Sequence, residues 1–283
     1  MGRLYEKGIN EIINYIFGNG IKGLWLLGSY GAFPLMSTEE RMRMAEIAVP
    51  LALKLGMTTI VHIGDPSTDT AILLAKHAEG LGAHGLASVV PFYYASSHLR
   101  ENHLVAHFKK ILQEIRIPLF FYNNSKATGY TPKESFLRRL MEVGVYGLKD
   151  KGDYVTMAEH IILTHKVRPG GVYLSGTTSV YLLGHILGAQ GVVSGTALAM
   201  PGLVLSLEAA LNRHDLSEAV RLQEIVLKVR KVQGRYVGRS VSCYDILAEK
   251  KVDAGTCRLP WNRMTREQAL EVLLELRELE TSI

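Results

Sequence analysis

The chain has 283 residues, 47% of them hydrophobic and 21% charged, enough to bury a sizeable core and too apolar and evenly mixed to stay disordered. Its formal charge of +5 is mildly basic, and its two cysteines exclude a disulfide scaffold and a four-cysteine zinc site. Mean hydropathy is only +0.10 and no apolar run approaches the ~18 residues of a membrane-spanning helix, so no membrane partner is expected.

In chain order, the first expected element is a helix over residues 7–17, where Ile9, Ile12, Ile13 and Ile16 recur at helical spacing. The polar start ahead of it carries no secretory signal, and a cytoplasmic location is expected. A pattern then repeats: a short apolar run ends in a polar or glycine-rich loop and an amphipathic helix follows. The runs cover residues 23–27, 59–63, 86–90, 119–122, 145–148, 172–174 and 191–194, each short enough for a buried parallel strand. Helices are expected over 38–55, 68–81, 104–115, 132–143 and 179–187. Ser37 and Glu40 stand at the spacing of a capping box, and Pro132 suits a first helical turn. After residue 194 the strands stop, and helices are expected over 202–212, 216–234, 241–250 and 266–280. The basic stretch 228–239 spreads its charges among Val and Leu like a solvated helix face. No aromatic–basic motif accompanies it, so no nucleic-acid partner is expected.

Strands alternating with helices predict a parallel sheet with right-handed crossovers. Without a dinucleotide fingerprint, a closed barrel fits better than an open doubly wound sheet. The expected fold is an α/β chain of the TIM (β/α)8 type, with residues 1–200 as the catalytic barrel and 201–283 as a helical extension packed on it. Only seven strands are visible, and the one that should precede the first helix is missing. Either an upstream start supplies it, or an unusual closure joins the strands at Leu24 and Val192.

In barrels of this type the chemistry sits at the C-terminal ends of the strands. Lys149 ends the fifth run on the face of Val145 and Gly147, with Gly147 expected to leave space beneath its side chain. A lysine in an apolar interior loses charge solvation, and the neutral amine that results can attack a carbonyl to form a Schiff base. The alternative is a Lys149 turned outward or paired with Asp150 or Asp153. Tyr122 follows Phe120 on one face of the neighbouring strand, either as a proton shuttle or as a core tyrosine. Gly28-Ser29-Tyr30-Gly31 either offers backbone N–H groups to a carboxylate or is a plain tight turn. The ten histidines do not cluster, and neither a zinc-protease spacing nor a phosphate-binding loop occurs, so no metal or nucleotide is expected.

In order, the strand ends read Gly28-Ser29-Tyr30-Gly31, Pro91-Phe92-Tyr93-Tyr94, Tyr122-Asn123-Asn124 with Ala127-Thr128-Gly129, and Gly147-Leu148-Lys149-Asp150. This ordered set resembles the pyruvate-dependent class I aldolase family, whose members include dihydrodipicolinate synthase, N-acetylneuraminate lyase and 2-keto-3-deoxygluconate aldolase. The resemblance implies that Lys149 forms the imine with pyruvate, that Tyr122 passes protons, and that Ser29 extends that relay. It implies that the Ser29 and Tyr30 amides bind the pyruvate carboxylate and that Val193 lines the pocket. Thr128 falls in a substrate-binding motif, and Tyr93 falls where synthases place a tyrosine donated across a dimer interface. It further implies no cofactor beyond the covalent imine, a keto acid and an aldehyde as partners, and a homo-oligomer, dimer or tetramer. The sequence departs from the family at Tyr30, where a small hydroxyl residue is usual, and at Ala32, where a glutamate is usual. Ala127 stands where dihydrodipicolinate synthase carries an arginine that grips its aldehyde. The archaeal 2-keto-3-deoxygluconate aldolases resemble this chain better there, and share the G-x-x-G-x-x-P-x-x-S pattern of Gly28, Gly31, Pro34 and Ser37. The implied reaction is reversible cleavage of a 2-keto-3-deoxy sugar acid to pyruvate and an aldehyde such as glyceraldehyde. The alternatives are dihydrodipicolinate synthase and an inactive keto-acid-binding homologue.

Overall fold

The alternating runs fold as a curled sheet wrapped in helices. The computed structural model describes residues 4–95 and 98–283, so Met1, Gly2 and Arg3 of the polar start lie outside the described residues. The first half runs α1 (Glu6–Gly18), β1 (Gly23–Leu26), α2 (Thr38–Lys54), β2 (Thr58–His62), α3 (Thr68–Gly80), β3 (Gly85–Ser88), α4 (Glu101–Leu112) and β4 (Leu119–Asn123). The second continues α5 (Ser125–Thr128), α6 (Glu134–Glu142), β5 (Gly147–Asp150), α7 (Tyr154–Val167), β6 (Val172–Ser175), α8 (Tyr181–Ile186), β7 (Gly191–Val192) and α9 (Thr196–Ala199). The extension holds α10 (Pro201–Asn212), α11 (Leu216–Gln233), α12 (Arg239–Glu249) and α13 (Arg266–Glu280).

The sheet has seven strands among the described residues, all parallel, each beside its neighbours in sequence. All residues of β4 and β5 are buried, as expected of strands covered on both faces. The helices close over them with one apolar face each. In α4, Leu104, Phe108 and Ile111 follow the helical period and have no exposed surface. A second core joins the extension to the last barrel unit, with Tyr181 and Met200 packed among Leu203, Leu222 and Val272.

The strand count agrees with the sequence pattern, but two details of the pattern do not hold. Residues 145 and 146 precede β5: the Val145 amide still bonds to Leu140 O of the preceding helix end, so Lys149 lies inside the strand. Helix α7 has no counterpart among the expected helices, because exposed Tyr154, Val155 and Ile162 blur its apolar period.

The curled wall stays open between its ends. No ladder joins β1 to β7, and Leu24 and Val192 instead line one cavity of about 980 Å³. At the C-terminal rim the gap is bridged by a side chain: the Tyr30 ring, from the loop after β1, lies directly on Gly195, from the loop after β7.

Candidate active site

The parallel register sets Tyr122 of β4 beside Lys149 of β5, and both side chains line the cavity. Lys149 is only 5% exposed. Its Nζ sits 3.9 Å from the Tyr122 ring centroid and 4.3 Å from that of Trp25. Burial, followed by the nearby charge of Lys151, holds its pKa well below the usual lysine value. The two aromatic faces exclude water from the amine, and the same faces attract any positive charge that later forms on this nitrogen.

Tyr122 and Ser29 share a hydrogen bond of 3.1 Å. Asn124 Nδ2 donates to both, at 3.3 Å to Ser29 Oγ and 3.4 Å to the Tyr122 hydroxyl. Burial pushes the Tyr122 phenol up to about 12, so at neutral pH it holds its proton and is a donor. Beneath the pair lies His62, whose ring centroid is 5.8 Å from that of Tyr122. Burial first, and then the charge of Arg41, holds the pKa of this imidazole well below its usual value, so it is neutral.

Leu27 leaves β1 in the left-handed region at φ 56°, which turns the chain sharply into Gly28 and Ser29. No acceptor among the described residues takes the Ser29 or Tyr30 amide. The Tyr30 ring lies against Gly195 and near Arg230 and Arg239, and burial raises its phenol to about 12. Val193 also lines the cavity, its amide tied to Ser175 O at 2.8 Å.

Two further sequence candidates lie elsewhere. The Thr128 hydroxyl donates to Asn124 O at 3.2 Å and accepts from the Tyr130 amide, bracing the loop outside the cavity wall. Tyr93 is 77% exposed, stacked edge-on with Tyr94, and reaches no part of the cavity in this chain. The role expected for Gly147 is corrected: the Phe120 ring and the Val172 carbonyl fill the space over its Cα, so it admits its neighbours and leaves no room under the lysine.

Sequence reasoning passed over Trp25, although a large aromatic at the third position of the first strand was a legible signal. It also left open a Lys149–Asp150 pair, which does not form. Asp150 points to the opposite face, where its carboxylate accepts from Asn123 Nδ2 at 2.7 Å, the Gly152 amide at 2.7 Å and the Tyr173 hydroxyl at 3.0 Å, with His160 Nδ1 at 2.6 Å. This fully engaged carboxylate locks the backbone on which Lys149 stands. Among the described residues no group of three or more His, Cys, Asp or Glu side chains is arranged to hold a metal ion.

A family model, the dihydrodipicolinate synthetase family, matches residues 1–279. The chain is 30% identical to a probable 2-dehydro-3-deoxy-D-pentonate aldolase of Escherichia coli, over 81% of this chain and 75% of that protein. It is 26% identical to a 2-dehydro-3-deoxy-D-gluconate/2-dehydro-3-deoxy-phosphogluconate aldolase of Thermoproteus tenax, over 87% and 76%. A 4-hydroxy-tetrahydrodipicolinate synthase of Acidiphilium cryptum is 31% identical, over 80% and 76%. The fold superposes with a TM-score of 0.91 on a prophage protein of Escherichia coli K12 crystallised with pyruvate, at 20% identity, covering 99% of this chain and 94% of that one.

Proposed function

The chain belongs to the dihydrodipicolinate synthetase family of pyruvate-dependent carbon–carbon lyases, and from that premise we propose that it reversibly cleaves a 2-keto-3-deoxy sugar acid to pyruvate and an aldehyde such as glyceraldehyde. The observation that carries the reading is the buried amine of Lys149, wedged between two aromatic faces next to a Tyr122–Ser29 hydroxyl pair. Ala127 favours a hydroxylated aldehyde, because no cation stands there to grip an aldehyde carboxylate.

The neutral Lys149 amine attacks the keto carbon. The Tyr122 phenol gives its proton to the departing hydroxyl, water leaves, and a protonated imine remains. The imine then draws the electrons of the carbon–carbon bond one removed from it, as the hydroxyl on the departing carbon gives its proton through Ser29, 3.1 Å from Tyr122, to the phenolate; the phenol is restored and the aldehyde departs. Protonation of the resulting enamine and addition of water release pyruvate and return the amine. The free amides of Ser29 and Tyr30 suit the carboxylate of the keto acid. No cofactor is needed beyond the imine itself. Tyr93, exposed where the family places an interface tyrosine, supports a homo-oligomer, dimer or tetramer.

The test is reduction with borohydride in the presence of pyruvate, followed by peptide mapping. A reduced pyruvyl adduct on Lys149 is expected, and an unmodified Lys149 peptide overturns the mechanism. A pyruvate-release assay over a panel of 2-keto-3-deoxy acids then fixes the aldehyde. Turnover of aspartate semialdehyde with pyruvate, and of no sugar acid, overturns the substrate assignment in favour of a synthase.

A further inference from the structure

The reacting pair has a second pair behind it. Across β4 and β5 the register sets Tyr122 beside Lys149 and, one step on, Asn123 beside Asp150. Strand alternation sends the first two side chains into the cavity and the second two to the opposite face. There Asp150 Oδ1 accepts from Asn123 Nδ2 and from the Gly152 amide, each at 2.7 Å. Its Oδ2 accepts from the Tyr173 hydroxyl of β6 at 3.0 Å and meets His160 Nδ1 of α7 at 2.6 Å. Asp150 and Tyr173 have no exposed surface, and His160 has almost none. Burial, then the charge of Asp150, pushes the Tyr173 phenol up, so it stays a donor. Three of the four partners are neutral donors, and His160 is the one whose side chain is able to carry a counter-charge.

The main chain is held as well. The Asp150 carbonyl accepts from the Gly176 amide at 2.6 Å, and the Lys151 amide donates to Asn123 O at 3.0 Å. The residue after Asn123, Asn124, is the one that reaches Ser29 and the Tyr122 hydroxyl. A buried carboxylate is often no more stabilising than an apolar side chain in its place, but a fully satisfied polar network makes the surrounding geometry rigid.

We propose that the Asp150 carboxylate, gripped by His160 and Tyr173, is a positioning clamp for the reaction: it fixes Lys149 in register with Tyr122 and keeps the Lys149 amine seated between its two aromatic rings. His160 and Tyr173 touch no reacting atom and act through Asp150 and its strand. Loosening the clamp lets β5 shift against β4 and admits water to the amine. The kinetic consequence rests on the Schiff-base reading; the clamp itself does not.

The test reads the Lys149 amine directly. Competitive acetylation of the whole chain with acetic anhydride across a pH series, followed by peptide mass mapping, gives the midpoint at which Lys149 becomes a free amine. His160→Leu is expected to raise that midpoint toward the free-lysine value by about one pH unit or more. His160→Asn, whose Nδ2 stands near the place of the lost Nδ1, is expected to return it most of the way. Neither substitution alters Lys151, Tyr122 or His62, the titratable groups around the amine. A midpoint one pH unit higher leaves about tenfold less neutral amine at any pH below both, so borohydride trapping with pyruvate slows by about tenfold. A midpoint unchanged in His160→Leu, or a rise that His160→Asn leaves in full, overturns the proposal. Should His160→Leu fail to fold, Tyr173→Phe removes the other donor to the same oxygen: a raised midpoint upholds the clamp and an unchanged one overturns it. If the wild-type chain gives no pyruvyl adduct, it is the Schiff-base reading that fails, and the acetylation midpoints still decide the clamp.

Discussion

A lysine surrounded by aromatic rings is a stability cost kept for its chemistry. The unfolded chain binds the Lys149 proton near the ordinary lysine pKa, and the folded chain releases it well below that value. Between the two values the unfolded state holds more protons, so this residue's contribution to stability rises with pH and is unfavourable at neutrality. Lys149→Met is therefore expected to raise unfolding free energy by about 1–2 kcal/mol while abolishing imine formation, as read by denaturant melts and borohydride trapping. In the wild-type enzyme the rate of imine formation should climb with pH through a pKa well below that of free lysine and then level off. A rate that climbs only in the range of free lysine would show that the amine is not desolvated. The lysine and its tyrosine were legible in the sequence because strand alternation is strictly periodic. The carboxylate beside them was not: Asp150 engages His160 and Tyr173, and a pattern of period two says nothing about partners on other elements.

At the scale of an element, the start of α2 shows a local rule at work and then extended. Ser37 Oγ accepts from the Glu40 amide at 3.3 Å, and the Glu40 carboxylate accepts from the Ser37 amide at 3.0 Å, closing the capping box that the spacing foretold. The same carboxylate also receives both guanidinium nitrogens of Arg258, at 2.6 and 2.7 Å, which ties the loop before α13 to the helix that follows the active-site turn. Ser37→Ala is expected to cost about 1 kcal/mol of stability. The Arg258 hydrogen bonds hold the Glu40 carboxyl at about 2, below its unfolded value. Its stabilisation is complete above the unfolded pKa and is lost as pH falls toward 2, so Glu40→Gln should flatten the acid limb of a stability–pH curve in that window. An unchanged limb would place the acid sensitivity elsewhere. The cap was legible because its two residues are three apart; Arg258 was not, because only the folded chain brings it to Glu40.

For the molecule as a whole, the decisive feature is the wall left open between β1 and β7. The two strands meet through Tyr30 on Gly195 and not through a ladder. Tyr30, the bulky departure from the family pattern, thus acts at the rim as a strut, with Arg230 and Arg239 near it. A Cβ at position 195 would collide with that ring. Gly195→Ala should cost about 1–3 kcal/mol by overpacking, and Gly195→Ala with Tyr30→Thr should recover part of the loss, measured as melting temperature and denaturant midpoint. Strict additivity of the two substitutions would show that the ring and the glycine do not bear on each other.

The sequence by itself determined the order of the strands, their count of seven and most of the helices between them. Those features depend on local periodicity, capping chemistry and turn residues, all written within a few positions of one another. Only the tertiary structure decided that Gly147 is filled by Phe120, that Tyr30 spans the rim, that Thr128 braces a loop, and that Lys151, Arg230 and Arg239 gather around one cavity. Such contacts join residues far apart in the chain, and their energies arise from burial and charge that exist only once the wall has curled.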